Sequence, residues 1–312
     1  MKENLKVLLK RFLLILFVTV VFDQTIGHTL NYFYFKHQPV SDISTTTYVA
    51  DYCTQRVLVL GSSRASHHYI SNDIQAATNL TCYNAGADGA YILYSCAMLK
   101  CVLSRYTPKL VILDLLPDEF KASPETYDRL SVLLPYYQNH PEIRSIVELR
   151  SPYEKVKLLS GIYPFNSLVL PIVSLNFHEN EQEFKPDDQN GFIPLTNTIN
   201  VSGDHFIDSV YHNYNIDPEL VNAYRSIIKE CVRHQVKLYV FVSPLLYSSV
   251  FKTKSIKIAA DIALQNNIPF FDYTEDKQFK KKIYFRDFGH LNKNGAKLYT
   301  AQVITDISAT HN

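Results

Sequence analysis

Short apolar runs alternate with helix-like stretches along most of the chain, and this alternation constrains the fold more than any other feature. Five runs rich in β-branched and aromatic residues lie at positions 57–60, 81–84, 110–114, 237–243 and 269–272. Most are apolar throughout, as strands are when helices cover both faces of a parallel sheet. The pattern predicts an α/β fold in which right-handed crossovers build a doubly wound parallel sheet.

Two of the intervening stretches carry clear helix signals. In the first, Asp217 is a candidate N-cap and Pro218 stands in the first turn. Its apolar residues recur at helical spacing on one face, at Leu220, Tyr224, Ile227, Ile228 and Cys231. In the second, near the C-terminal end, Asn292 is a candidate N-cap. The face expected to turn inward there carries Leu298, Ala301, Ile304 and Ile307.

The first thirty residues differ in composition from the rest. Lys2, Lys6, Lys10 and Arg11 precede an apolar run at positions 12–22. Basic residues followed by apolar ones, without a small-residue cleavage site, favour a retained signal anchor. We therefore expect a transmembrane helix at 1–30, a linker at 31–55, and a single-pass protein of the inner (cytoplasmic) membrane whose domain faces the periplasm or cell exterior. A cleaved signal peptide and a buried amphipathic helix are the alternatives.

Charge and cysteine content exclude several classes of protein. The 312 residues carry a formal net charge of +1 and no basic stripe, so no nucleic-acid partner is expected. Five cysteines show no metal-ligand spacing, and we predict neither a metal nor a cofactor. The stretch from about 116 to 216 is too long for one crossover. We expect it to be an insertion, within a domain at 56–308, that caps or lines a site.

Three separated motifs point to a nucleophile and its base. Gly61 and the serine pair Ser62–Ser63 follow the first strand, where ligands bind in a doubly wound sheet. A serine is a weak nucleophile without a base. Asp287 and His290 lie three residues apart before the last helix, which suits a carboxylate that orients an imidazole towards a serine.

The third motif follows the second strand. Gly86 and Gly89 would let the backbone approach closely and offer an N–H group to an oxyanion. Together with the Gly61-Ser62-Ser63 and Asp287-x-x-His290 segments, the stretch from Asn84 to Gly89 resembles the conserved blocks of the SGNH/GDSL hydrolase superfamily.

The resemblance implies a flavodoxin-like, three-layer α/β/α fold with a parallel sheet, the SGNH hydrolase fold. It also implies that Ser63 is the nucleophile, His290 the base and Asp287 its orienting carboxylate. Gly89 and the Ser63 backbone N–H would form the oxyanion hole. The chain is similar to envelope members of the teichoic-acid D-alanylation and alginate O-acetylation type. These imply an acylated carbohydrate or cell-surface polymer as substrate, and as partners the lipid bilayer, through the N-terminal helix, and a polytopic membrane O-acyltransferase.

Two departures from the family pattern bear on the site. Asp118 lies closest to the place of an oxyanion-hole asparagine, and an ionised carboxylate cannot donate a hydrogen bond. Arg64, beside the expected nucleophile, could bind a substrate carboxylate or phosphate, or pair with Asp118 or Asp88. Arg64, Asn84 and Asp118 are therefore the candidate substrate-binding residues.

Neighbouring polar residues are assigned structural roles. His67 and His68 are expected on the solvent side of a helix, and Ser243 in a turn. The function that follows is a serine esterase or O-acyltransferase acting on acyl esters of a cell-envelope carbohydrate. The alternative is a non-catalytic SGNH-like module that binds a surface polymer or a membrane acyltransferase.

Overall fold

The structure, a computed structural model, describes residues 2–36, 42–177, 189–200, 214–246 and 253–310. The strands are β1 Val57–Leu60, β2 Cys82–Asn84, β3 Leu110–Asp114, β4 Lys237–Val242 and β5 Phe270–Asp272. The α-helices are α1 Lys2–Lys36, α2 Asp42–Thr47, α3 Ser63–His68, α4 Ser71–Thr78, α5 Ile92–Arg105, α6 Pro124–Asp128, α7 Arg144–Val147, α8 Glu154–Lys157, α9 Val169–Phe177, α10 Pro218–Arg233, α11 Lys254–Gln265 and α12 Lys293–Ala309. Two compact units result: Met1–Val40 with Leu130–Phe184, and Ser41–Arg129 with Lys185–Asn312.

All five strands belong to one parallel sheet in the order β2-β1-β3-β4-β5. Every strand predicted from the sequence is present, with ends that differ by at most one residue. The direction of winding reverses between β1 and β3, which makes this the switch point where doubly wound sheets bind ligands. Residues that follow β1 and β3 are therefore placed at the expected site, and the α/β fold class is confirmed.

Helices cover the sheet in two groups. On one side α12 packs with α3 and α4, and on the other α10 packs with α5 and α11. Alternate strand residues Val57, Val59 and Ile112 join the core beneath α12, because side chains along a strand point to opposite faces in turn. The predicted inner face of α10 is confirmed: Leu220, Ala223, Tyr224, Ile227, Ile228 and Cys231 are buried. Asp217 caps this helix by accepting from the Glu219 N–H at 2.9 Å.

The other unit is held together by close contacts along the second half of α1. Asp23 accepts hydrogen bonds from the Ser160 hydroxyl at 2.5 Å and the Gly161 N–H at 2.7 Å. A Cβ on Gly27 would lie 2.2 Å from the Gly161 carbonyl carbon, so a side chain is excluded there. The N-terminal helix therefore docks, within its unit, on a segment more than a hundred residues away in sequence.

The expected transmembrane helix at 1–30 is not supported. The segment is helical and extends to Lys36, but no helix among the described residues is both long and apolar enough to cross a membrane.

Of the expected linker at 31–55, the structure describes residues 31–36 and 42–55. They include the end of α1, the short helix α2 and a π-helix at Tyr48–Tyr52, and Val49, Ala50 and Cys53 are fully buried. The predicted insertion at about 116–216 contributes α7, α8 and α9 to one unit, and α6 and residues 189–200 to the other. Its stretches 178–188 and 201–213 lie outside the described residues.

Candidate active site

A sharp turn joins β1 to α3 and presents Ser63. Gly61 has a φ of +149°, and a Cβ there would lie 2.7 Å from the Asp114 carbonyl oxygen and 2.8 Å from the Ala65 Cβ. Glycine is required because any side chain would be strained and would clash. Ser62 then caps α3 by accepting from the Arg64 N–H at 3.3 Å. Ser63 is consequently the first residue of the helix.

The three residues of the predicted triad lie together. Ser63 Oγ is 2.8 Å from His290 Nε2, and His290 Nδ1 is 3.0 Å from both carboxylate oxygens of Asp287. If Nδ1 carries the ring proton and donates it to Asp287, Nε2 has a free lone pair facing the serine hydroxyl. This is the geometry of nucleophile, base and orienting carboxylate.

Asp287 is held in its ionised form by the turn in which it lies. Burial raises the pKa of its carboxyl, but hydrogen bonds from the His290 ring and from the Gly289 and His290 backbone N–H groups outweigh burial and lower the pKa to about 2. The turn is closed by a bond from the Arg286 N–H to the His290 carbonyl at 2.8 Å. A permanent negative charge therefore lies beside the imidazole across the physiological pH range.

The glycines after β2 adopt conformations that fit a close approach to α3. A Cβ on Gly86 would lie 2.4 Å from the Ser66 backbone nitrogen. Gly89 has a φ of +69°, and a Cβ there would lie 2.9 Å from a guanidinium nitrogen of Arg129. Asp88, between them, accepts from the Ser66 hydroxyl at 2.9 Å. The turn that carries Gly89 is thus fastened to the helix that begins at Ser63.

The candidate substrate-binding residues have mainly structural contacts. Asn84 is fully buried, and its amide donates to the Ala65 and Tyr69 carbonyls at 2.7 and 2.9 Å. Asp118 is partly buried; burial raises the pKa of its carboxyl, and the nearby Lys121 opposes the rise. Asn84 therefore fixes the end of α3 against β2.

Arg64 points inward, and its partner is neither Asp118 nor Asp88. Its side chain is 4% exposed, its Nε donates to Ser243 Oγ at 2.9 Å, and it lies 4.0 Å from the Asp114 carboxylate. Its Nη2 also contacts the Ser243 carbonyl. The sequence indicated pairing but not this partner, since Asp114 is the last residue of an otherwise apolar strand.

The prediction for His67 and His68 was wrong, because both are buried. His67 Nδ1 lies 2.7 Å from the Ile193 carbonyl and its Nε2 lies 3.4 Å from Asp88. Burial lowers the pKa of His67, but the bonds to Asp88 and Ile193 reverse this and raise it. Segment 189–200 covers this side of α3, so the expected solvent-facing side is not exposed.

Sequence reasoning missed two buried acids near the site. Asp114 Oδ1 accepts from the Tyr69 hydroxyl at 2.6 Å and from the Ser243 N–H at 3.1 Å. Glu119 accepts from the Ile92 and Leu116 backbone N–H groups at 2.6 and 2.8 Å, and burial raises its pKa to about 8. The one available signal was the position of Asp114 at the end of an otherwise apolar strand. Because a buried charge is costly without a partner, an acid at that position predicts a buried polar partner.

No family model and no curated protein match the sequence. The solved structures that are similar to the chain include two from Bacteroides species. One, a proposed acylhydrolase from Bacteroides fragilis NCTC 9343, has 12% sequence identity, a TM-score of 0.41 and coverage of 84% of this chain and 90% of that chain. The other, a GDSL-like lipase from Bacteroides thetaiotaomicron VPI-5482, has 11% identity, a TM-score of 0.42 and coverage of 86% and 100%.

Proposed function

We propose that this chain is a serine hydrolase of the SGNH/GDSL type that acts on ester bonds. The observation that carries the proposal is the unbroken chain of hydrogen bonds from Ser63 through His290 to Asp287. These residues come from two ends of the sequence, 227 positions apart for Ser63 and His290, and meet at the switch point of the sheet. The motif resemblance assigns the same three residues to the same roles.

In the proposed reaction the Ser63 hydroxyl attacks the ester carbonyl carbon as His290 Nε2 takes its proton. Asp287 stabilises the imidazolium that forms. The Ser63 and Gly89 backbone N–H groups stabilise the oxyanion of the tetrahedral intermediate. His290 then gives its proton to the departing alkoxide, which leaves as an alcohol and an acyl-serine remains. A second hydroxyl, from water or from a carbohydrate, attacks the acyl-serine by the same steps and releases the enzyme.

The finer proposal concerns the substrate. The resemblance to envelope proteins supports an acylated cell-envelope carbohydrate as substrate, with a polytopic membrane O-acyltransferase as partner and a location on the outer side of the cytoplasmic membrane. Hydrolysis and transfer differ in whether water reaches the acyl-serine. A lifetime measurement of the acetylated enzyme, with and without an added sugar acceptor, distinguishes them.

A second candidate, a binding module without catalysis, is favoured by one residue. Asp118 lies closest to the place where the family pattern has an asparagine, and a carboxylate supplies no oxyanion donor when it is ionised. Against this, a binding protein does not require His290 in contact with both Ser63 and Asp287. The two candidates make opposite predictions for a reagent that forms a covalent bond only with an activated serine.

The test uses the full chain, a fluorophosphonate probe and p-nitrophenyl acetate. We expect wild-type protein to be labelled, Ser63→Ala to lose labelling entirely, and His290→Ala to be labelled at least about a hundredfold more slowly. Ser62→Ala is the matched control, because it removes the adjacent hydroxyl and should keep labelling. Labelling that persists in Ser63→Ala would contradict the assignment of the nucleophile. Absence of labelling in the wild type would favour the binding module.

A further inference from the structure

His68 connects the nucleophile's helix to the segment that carries the base. It is the last residue of α3 and is fully buried. Its Nε2 accepts a hydrogen bond from the Leu291 backbone N–H at 2.9 Å. His68 lies five residues after Ser63, and Leu291 directly follows His290. The His68 side chain therefore links the helix of the nucleophile to the segment that carries the base.

The Leu291 bond fixes the tautomer of His68. A backbone N–H can only donate, so Nε2 must carry a lone pair and Nδ1 must carry the ring proton. Nδ1 lies 2.9 Å from Ser243 Oγ and donates to it. Burial above all, followed by the charge of Arg64, keeps the pKa of His68 well below its ordinary value. The ring is therefore neutral, as the acceptor role requires.

Ser243 anchors the other end of the imidazole. Its Oγ accepts from His68 Nδ1 and from Arg64 Nε, both at 2.9 Å, and it donates to the Asp114 carboxylate at 3.3 Å. Two acceptor sites and one donor are the full capacity of a hydroxyl. His68 is thus held against the ends of β3 and β4 and cannot shift without breaking a buried bond.

We propose that His68 is a positioning residue: by holding the Leu291 N–H it sets the distance between Ser63 Oγ and His290 Nε2. Asp287 fixes the His290 ring from within the same turn, whereas His68 ties that turn to α3. This inference rests on the proposed function, because the distance matters only if Ser63 and His290 exchange a proton. A misplacement of about 1 Å in such a pair costs roughly a hundredfold in rate.

Two amide substitutions separate the two bonds of the imidazole. In His68→Gln the side-chain carbonyl reaches about as far as Nε2 and can accept from Leu291, but the donor to Ser243 is lost. In His68→Asn the shorter amide can donate to Ser243 in place of Nδ1, but it offers no acceptor to Leu291. Both variants remove the ring, so each serves as the other's control for lost packing.

We expect kcat for p-nitrophenyl acetate to fall less than about fivefold in His68→Gln and roughly a hundredfold in His68→Asn, with KM little changed in either. The Leu291 amide should remain protected from hydrogen exchange in His68→Gln and lose protection in His68→Asn. Melting temperatures should fall by similar amounts. A purely structural His68 would lower kcat equally in both variants, and that result would overturn the proposal.

A backbone change provides the same test without altering His68. Replacing the Leu291 amide by an ester, through incorporation of leucic acid, removes the N–H and keeps the side chain. We expect this ester to lower kcat about a hundredfold when residue 68 is histidine, and to lower it no further when it is combined with His68→Asn. If the losses of the ester and of His68→Asn added, the proposal would be contradicted.

If Ser63→Ala is still labelled by the fluorophosphonate, the proposed function fails. If Ser63→Ala is unlabelled and the two amide variants are equal, only the role of His68 fails.

Discussion

At the residue scale, several hydrogen bonds fix the carboxylate of Asp287. It binds the His290 ring and two backbone N–H groups, so its charge and its orientation are both fixed. Its neighbour Phe288 is partly exposed, and the carboxylate itself is about half exposed. In the proposed mechanism, these contacts suit Asp287 to hold one tautomer of His290 rather than to exclude solvent.

Replacing Asp287 by asparagine should remove that control of the tautomer. The amide presents an N–H to His290 Nδ1, so the imidazole turns its proton towards Ser63 and cannot accept the serine proton. We expect kcat for p-nitrophenyl acetate to fall on the order of a thousandfold or more, with an unchanged circular dichroism spectrum. A variant that keeps a tenth of the wild-type kcat would show that Asp287 does not orient the base.

The same carboxylate should make stability depend on pH in the acid range. Its pKa is about 2 in the folded protein, below the ordinary 3.8, so its stabilising contribution is present above about pH 4 and is lost as the pH falls through 2. Because the group is half exposed, solvent screening reduces the expected contribution to about 1 kcal/mol. Urea unfolding of wild type and Asp287→Asn measures it.

The comparison should be made between about pH 5 and pH 2. The wild type should lose about 1 kcal/mol more of its unfolding free energy than the variant over this interval. Parallel losses in the two proteins would mean that Asp287 has the same pKa in the folded and unfolded states.

At the scale of elements, the turn from β1 into α3 depends on one glycine. A Cβ at Gly61 would meet the Asp114 carbonyl oxygen at 2.7 Å, and the φ of +149° disfavours any side chain. We expect Gly61→Ala to lower the unfolding free energy by about 2–4 kcal/mol in urea titrations. Gly289→Ala is the matched control, since a Cβ there would meet only the Asp287 carboxylate, at 3.9 Å. Equal losses in the two variants would refute the argument from the clash.

The buried face of a helix was predicted correctly where aliphatic residues form it. It was predicted poorly where the buried residues include tyrosine and threonine, whose side chains end in a hydroxyl. The inner face of α10 was predicted correctly from its aliphatic spacing. The inner face of α12 was not, because its buried residues include Tyr299 and Thr300. The Tyr299 hydroxyl lies 3.1 Å from that of Tyr69, and the Thr300 hydroxyl donates to the His68 carbonyl at 3.1 Å. The partners of these two groups lie 230 and 232 residues away in sequence, so no local pattern predicts their burial.

At the scale of the whole molecule, the parts that were predictable from sequence share a physical cause. Buried parallel strands are continuous apolar runs, and the switch point follows from their order, so the sheet and the meeting of Ser63 with His290 could be anticipated. The burial of His67 and the pairing of Arg64 with Asp114 could not, because they depend on which distant segment covers α3. The basic-then-apolar order of the N-terminal helix predicted an anchor, and no helix among the described residues is long and apolar enough to cross a membrane.

The division of the chain into two units yields a prediction at this scale. A Cβ at Gly27 would lie 2.2 Å from the Gly161 backbone, so Gly27→Ala should destabilise the docking of α1 within its unit by about 1–3 kcal/mol. Ser63, His290 and Asp287 all lie in the other unit, so fluorophosphonate labelling should change less than about twofold. Hydrogen exchange of the α1 amides measures the loss.

Thr29→Ala is the control for this prediction, because the Thr29 hydroxyl is exposed and donates to the Thr25 carbonyl of its own helix. The α1 amides of the Thr29→Ala variant should exchange as slowly as those of the wild type. Faster exchange in both variants would attribute the effect to the helix itself rather than to the contact with Gly161.

The buried pair of Arg64 and Asp114 has a consequence for how this sequence can vary. Each side chain is at most 4% exposed, so the loss of one would leave the other in the interior without its counter-charge and with only neutral hydrogen-bond partners. A step-by-step mutational path therefore passes through a poorly folded intermediate, whichever of the two residues changes first. Among descendants of this protein the two positions should be inherited as a unit, and a redesigned site beside Ser63 would have to keep or exchange both together.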